Sequence, residues 1–247
     1  MSYDSINTNG FRLLNLLSFK DFERAVVAKD LPQFIFMSPN MMNDGHNTTL
    51  EYAAEWAHRY LKPLLAEDSL GDRTLVQLTY DESEDYGQPN RIVSLLLGNA
   101  IPEGLKGTSD DTYYTHYSIL STVQHNWELP NLGRYDVGAN VFQWVADLGG
   151  HTNSEPENAA LVDNSVSYGG ALNNDPAKYA PIPPPNTLLT GAGGNPILDS
   201  IKQKWAAQLQ DPTPYDGKGR FVDGDKQLPI YNPPMALSVS PPAQPGI

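Results

Sequence analysis

Apolar positions along the first 150 residues switch repeatedly between helical and strand-like spacing. Ser18 stands where an N-cap belongs, and Phe22, Ala25 and Val26 then share one face of a short predicted helix. Pro32 precedes the apolar run 33–37, Gln-Phe-Ile-Phe-Met, which reads as a buried strand. A polar turn over 38–46 follows it. Thr48-Thr49-Leu50-Glu51 has the spacing of a capping box and opens an amphipathic helix. Leu50, Ala53, Ala57, Tyr60, Leu61 and Leu64 recur in it near every 3.6 residues, with Pro63 close to its end. Residues 74–80 and 92–97 read as two further strands, the first running directly into Asp81-Glu82. With so little alternation at Leu75, Val76 and Leu78, that strand is expected to be fully buried. Asp110 or Asp111 caps a helix carrying Tyr114, Ile119, Leu120 and Val123, and one more helix covers 137–148.

Strands alternating with helices predict an α/β fold with a largely parallel sheet flanked by helices over residues 1–150. Past Gly150 the pattern breaks. Residues 151–196 are rich in Asn, Gly, Ser and Pro, centred on Pro181-Ile182-Pro183-Pro184-Pro185. The expectation is therefore an irregular Pro/Gly-rich extension over 151–247, with one short helix near 197–209 around Trp205. No internal repeat is visible.

Composition narrows the classes of function. Asp and Glu number 29 against 16 Lys and Arg, a formal charge of −13. Such a surface repels phosphate backbones and anionic headgroups, which argues against nucleic-acid and membrane-surface binding. It suits an acidic medium, where partial protonation of carboxylates relieves self-repulsion. With no cysteine, disulfides, thiol nucleophiles and zinc–thiolate sites are excluded. No stretch approaches the ~20 apolar residues of a membrane span. Residues 1–10 are polar and carry no signal-peptide apolar region. Asn47-Thr48-Thr49 is a glycosylation acceptor triplet, usable on the secretory path.

Three groups of residues could carry chemistry. Asp44 and His46 lie in the turn after the first strand; Asp81 and Glu82 end the second; His116 lies in the first turns of the helix that follows. Ligands of open parallel sheets bind outside the carboxyl ends of strands, so these groups are expected to share one rim. Carboxylates and imidazoles together make an oxygen/nitrogen site for a divalent cation. Each group also has a plainer reading. Residues 81–85 form an acidic run typical of a solvated loop, Asp44-Gly45 is an ordinary turn dipeptide, and His116 among tyrosines could be a hydrogen-bonded, half-buried histidine. His58 falls on the exposed side of its helix, and His125 and His151 have no acidic partner nearby in sequence.

Several motifs in fixed order then carry a resemblance. Met37-Ser38-Pro39-Asn40-Met41-Met42-Asn43-Asp44-Gly45-His46, Thr79-Tyr80-Asp81-Glu82-Ser83-Glu84, the run Tyr114-Thr115-His116-Tyr117-Ser118-Ile119-Leu120, and Leu129-Pro130-Asn131-Leu132-Gly133-Arg134-Tyr135-Asp136 resemble the fungal secreted acid phosphatases. These belong to the phospholipase C/acid phosphatase phosphoesterases of the alkaline-phosphatase-like superfamily. The resemblance covers roughly residues 1–150. It implies a metal centre of unknown identity, with Asp44, Asp81 and Glu82 as ligands and His46 and His116 as catalytic groups. Glu82 stands where classical members of the superfamily use His. The implied substrate is a small phosphate ester, and the implied location is extracellular. Family members begin with a strand carrying an acidic/Asn ligand motif and then a Ser or Thr nucleophile. No such motif precedes Leu31, so the resemblance implies the C-terminal half of the fold with its N-terminal part missing. Two other readings remain: a phospholipase C-like phosphodiesterase, and a catalytically silent paralogue acting as a binding protein.

Overall fold

Asn9, Ser18 and Thr49 accept otherwise orphaned backbone N–H groups and set the starts of three N-terminal helices. The structure, a computed structural model, describes residues 4–66, 69–85, 87–155, 157, 159 and 184–206. In chain order its elements are α1 (Asp4–Asn7), α2 (Gly10–Leu13), α3 (Phe19–Ala28), α4 (Leu50–Ala66), β1 (Val76–Thr79), β2 (Ser94–Leu97), α5 (Tyr117–Asn126), α6 (Gln143–Gly149) and α7 (Asp199–Trp205). Two 3-10 turns, Glu103–Leu105 and Ala192–Gly194, complete them. The chain forms two units: Met1–Tyr80 with Val93–Thr108, and Asp81–Ile92 with Ser109–Ile247. The proline cluster at 181–183 and the tail 211–247 lie outside the described residues. No described helix is long and apolar enough to cross a membrane.

In the first unit Ser18 and Asp21 form a reciprocal capping box at the start of α3. The Ser18 N–H donates to Asp21 Oδ2 at 2.8 Å, and the Asp21 N–H donates back to Ser18 Oγ. The hydrogen bonds from Ser18, with the Arg24 partner, hold the Asp21 carboxyl down to about 2. At the start of α4 the cap is Thr49, whose Oγ1 accepts the Tyr52 N–H at 3.3 Å. The Thr48 hydroxyl, expected to cap, donates instead to the Met42 carbonyl at 2.6 Å and closes the preceding loop. Helix α3 packs on α4 through Phe19, whose ring meets Trp56 and Tyr60 edge-on, with Trp56 and Tyr60 stacked 5.3 Å apart.

Strands β1 and β2 pair antiparallel, Val76 opposite Leu97 and Thr79 opposite Ser94. They are the two strands expected at 74–80 and 92–97, but they return on one another rather than run parallel. A parallel pair needs a crossover, usually a helix, and the described part of 80–93 contains none. β1 is half-buried at all four positions, not fully buried, because among the described residues only β2 pairs with it. The run 33–37 is no strand: it forms no ladder among the described residues, and Phe34 and Phe36 are 52% and 68% exposed. An apolar run becomes a strand only where a partner supplies hydrogen bonds, which its own sequence does not reveal. At the end of β2 the chain turns on Gly98, φ +109°, where any side chain would collide with the Thr74 carbonyl.

The second unit is organised around buried polar residues. Asp136, 1% exposed, accepts from Gln124 Nε2 at 2.9 Å, Leu132 N–H at 2.6 Å and Arg134 N–H at 3.1 Å. That single carboxylate fixes α5 to the loop 129–136. Fully buried Asn131 donates to the Asn195 carbonyl and accepts the Gly133 N–H, and its backbone bridges to Ile197. Ala192 and Ile197 join Val141, Phe142 and Ala146 in the core, so described residues beyond Gly150 pack into this unit.

Candidate active site

Asp44 and His46 lie together in the first unit, on the loop between the run 33–37 and α4. The loop is closed by the Asp44 N–H on the Asn40 carbonyl and by a positive φ at Gly45. The Asp44 Oδ1 accepts the His46 N–H at 2.8 Å, so this carboxylate also shapes its own turn. Asp44 is half-buried and His46 exposed.

Asp81, Glu82 and His116 lie in the second unit, all exposed. The His116 Nε2 sits 2.7 Å from the Asp81 backbone carbonyl. A carbonyl only accepts, so Nε2 carries the proton and, in the neutral ring, Nδ1 keeps its lone pair. Asn90 binds the same loop. Its Nδ2 donates to the Asp81 carbonyl at 3.2 Å, and its Oδ1 accepts the Ser83 N–H at 2.7 Å. Sequence reasoning singled out Asp81, Glu82 and His116 and missed Asn90. The only signal was Pro89-Asn90, which reads as turn chemistry.

His116 is held from behind. It stands at the N-cap position of α5, where the start of the helix is closed by Thr115 N–H on Ser118 Oγ and Tyr117 N–H on Thr115 Oγ1, both 3.2 Å, with Ser118 fully buried. Two residues earlier, the Tyr114 hydroxyl donates to Asp110 Oδ2 at 2.5 Å and accepts the Gln143 N–H at 2.7 Å, tying the His116 segment to the start of α6. Burial, with Asp110 alongside, pushes the Tyr114 hydroxyl up to about 12. Asn140 adds a bond from its Nδ2 to the Tyr113 carbonyl.

His125 and His151, set aside on sequence, have ring centroids 5.4 Å apart. Burial, and secondarily His125, lower the proton affinity of His151. His151 lines a cleft of about 330 Å³ with Val137, Asn140, Ser154 and Leu188, and none of Asp81, Glu82 or His116 borders it. As for a metal, the carboxylates offer the hard oxygen donors a divalent cation takes. Within either unit, however, no three described His, Asp or Glu side chains gather to hold one. The described residues do not complete a metal site.

The chain belongs to the phosphoesterase family, whose model matches residues 3–130 and so takes in both the acidic loop and the start of α5. It is 45% identical over 203 residues to the probable acid phosphatase of Kluyveromyces lactis, covering 82% of this chain and 47% of that protein. It is 41% identical over 226 residues to the acid phosphatase of Aspergillus fumigatus, covering 89% and 50%. To the acid phosphatase of Aspergillus niger it is 37% identical over 222 residues, covering 87% and 53%. The resemblance to fungal acid phosphatases read from the motifs is thereby borne out. The chain spans about half the length of the curated relatives it matches. No solved structure matches it.

Proposed function

We propose that this chain carries one side of an acid-phosphatase-type site that hydrolyses small phosphate monoesters. The observation that carries the reading is the His116–Asp81 contact, which joins the acidic motif to the histidine motif within one unit. Hydrolysis breaks the bond from phosphorus to the ester oxygen and forms one from phosphorus to an entering oxygen, ultimately from water. His116, anchored through Nε2, holds a proton at Nδ1 when charged and delivers it to the departing oxygen; the role proposed for His46, in the other unit, is to donate to phosphate. Asp44 in one unit, and Asp81 with Glu82 in the other, each offer oxygen donors of the kind a divalent cation takes.

In this reading the catalytic fold is larger than the described residues. Further strands pairing with the run 33–37 would cover the exposed Phe34 and Phe36. An extracellular, glycosylated enzyme is consistent with the acidic surface and the Asn47 triplet.

The test is hydrolysis of 4-nitrophenyl phosphate and of bis(4-nitrophenyl) phosphate at pH 5. It compares the chain alone with the chain joined to the part of the Kluyveromyces lactis relative that it does not span. Little turnover is expected from the chain alone, and a gain of several orders of magnitude, abolished by Asp81→Ala, from the joined protein. Faster turnover of the diester would replace the monoesterase reading with a phosphodiesterase. Robust turnover by the chain alone, abolished by Asp81→Ala, would place the nucleophile within it. Silence of both proteins would favour a binding role.

A further inference from the structure

We infer that Asn90 is the positioning residue of the acidic pair. Its carboxamide clamps the loop that presents Asp81 and Glu82 and couples that loop to His116. The inference rests on the phosphoesterase reading above and adds a residue to it.

The loop 81–92 follows β1 as an exposed acidic run. Glu84 sits at φ 58°, a left-handed conformation that costs a non-glycine residue energy unless neighbouring bonds enforce it. Asp85 Oδ1 and carbonyl take the N–H groups of Gly87 and Gln88, closing the far end of the loop. At the near end Asn90 spans the acidic pair. Its donor meets the carbonyl of Asp81 and its acceptor meets the N–H of Ser83, so the peptide units on either side of Glu82 are fixed by one planar group. A carboxamide offers a donor and an acceptor side by side, which an ionised carboxylate does not.

The Asp81 carbonyl is shared. It accepts from Asn90 Nδ2 and from His116 Nε2 together, using both lone pairs. Asn90 therefore sets the direction of the carbonyl that in turn sets the ring of His116 and the nitrogen left free on it. The clamp lies within one unit, and its three partners belong to two motifs and a turn that sequence alone leaves unrelated.

The experiment uses the full chain, its Asn90→Ala and Asn90→Asp variants, and Asp81→Ala, with inorganic vanadate as the probe. Three quantities are read: the exchange rate of the Ser83 amide, the nitrogen-15 shifts of the His116 ring, and the vanadate dissociation constant. In Asn90→Ala the Ser83 amide should exchange roughly 10-fold faster, the His116 ring should lose its single Nε2–H form, and vanadate should bind roughly 10-fold more weakly. Asn90→Asp keeps the acceptor for Ser83 but loses the donor to Asp81. It should retain Ser83 protection while losing the His116 signature and the affinity, a split that mere loop-holding would not produce. Unchanged His116 shifts and vanadate affinity in both Asn90 variants, beside a wild type that binds vanadate, would overturn the inference and leave the phosphoesterase reading standing. A wild type that binds no vanadate, or one whose binding survives Asp81→Ala, would overturn the reading itself.

Discussion

His116 reads the backbone of residue 81 and not its side chain. Substituting Asp81 thus removes a carboxylate while leaving the histidine's anchor in place, so the loss of vanadate binding expected for Asp81→Ala should come with a melting temperature within a few degrees of wild type. Tyr114 behaves differently, because its hydroxyl is held on both sides. Tyr114→Phe strips Asp110 of a donor and leaves the Gln143 N–H without an acceptor. A loss of about 1–3 kcal/mol is expected in urea unfolding at neutral pH. Its proton is also bound more tightly in the fold, the value rising from 10.0 to about 12. Tyr114 therefore contributes stability fully below pH 10, and that contribution fades as pH rises from 10 towards 12. The Tyr114→Phe variant should lack this alkaline dependence.

At the scale of elements, caps and turns decide where helices and strands stop. The Asp21 carboxyl drops from 3.8 to about 2 through its Ser18 hydrogen bonds, so the cap of α3 is intact above pH 4 and is lost as pH falls towards 2. Far-ultraviolet circular dichroism of Asp21→Asn should show a smaller loss of helix across that interval. Gly98→Ala should destabilise by about 2 kcal/mol or more by thermal melting, since its φ and the Thr74 carbonyl both oppose a side chain. Ser18, the periodicity of α4 and the two apolar runs that became β1 and β2 were all legible in the sequence, because period and cap chemistry are local. The antiparallel pairing was not, since it depends on what lies between the strands. Nor was the fate of Phe34-Ile35-Phe36, since strandness there depends on a partner. Asp81, Glu82 and His116 were legible as chemistry because they close recognisable motifs. Asn90 was invisible because its role is a bridge between backbone groups, which leaves no trace in residue type. The buried roles of Asn131 and Asp136 likewise appear only when their N–H partners are in place.

At the scale of the whole molecule, the hairpin β1–β2 belongs to one unit while the loop it carries, 81–92, belongs to the other. The polypeptide therefore passes between units at 80/81, 92/93 and 108/109, and neither unit is a contiguous stretch of gene. A deletion that keeps residues 109–206 retains His116 but discards Asp81 and Asn90. One that keeps 1–108 retains the acidic loop without the helix whose cap it meets. The same constraint governs inheritance. A single crossover with a diverged relative anywhere between 92 and 116 would seat one parent's loop against the other parent's histidine. Viable shuffled chimeras should accordingly be depleted of junctions in that interval and enriched in double exchanges that move 81–92 together with the stretch containing 116.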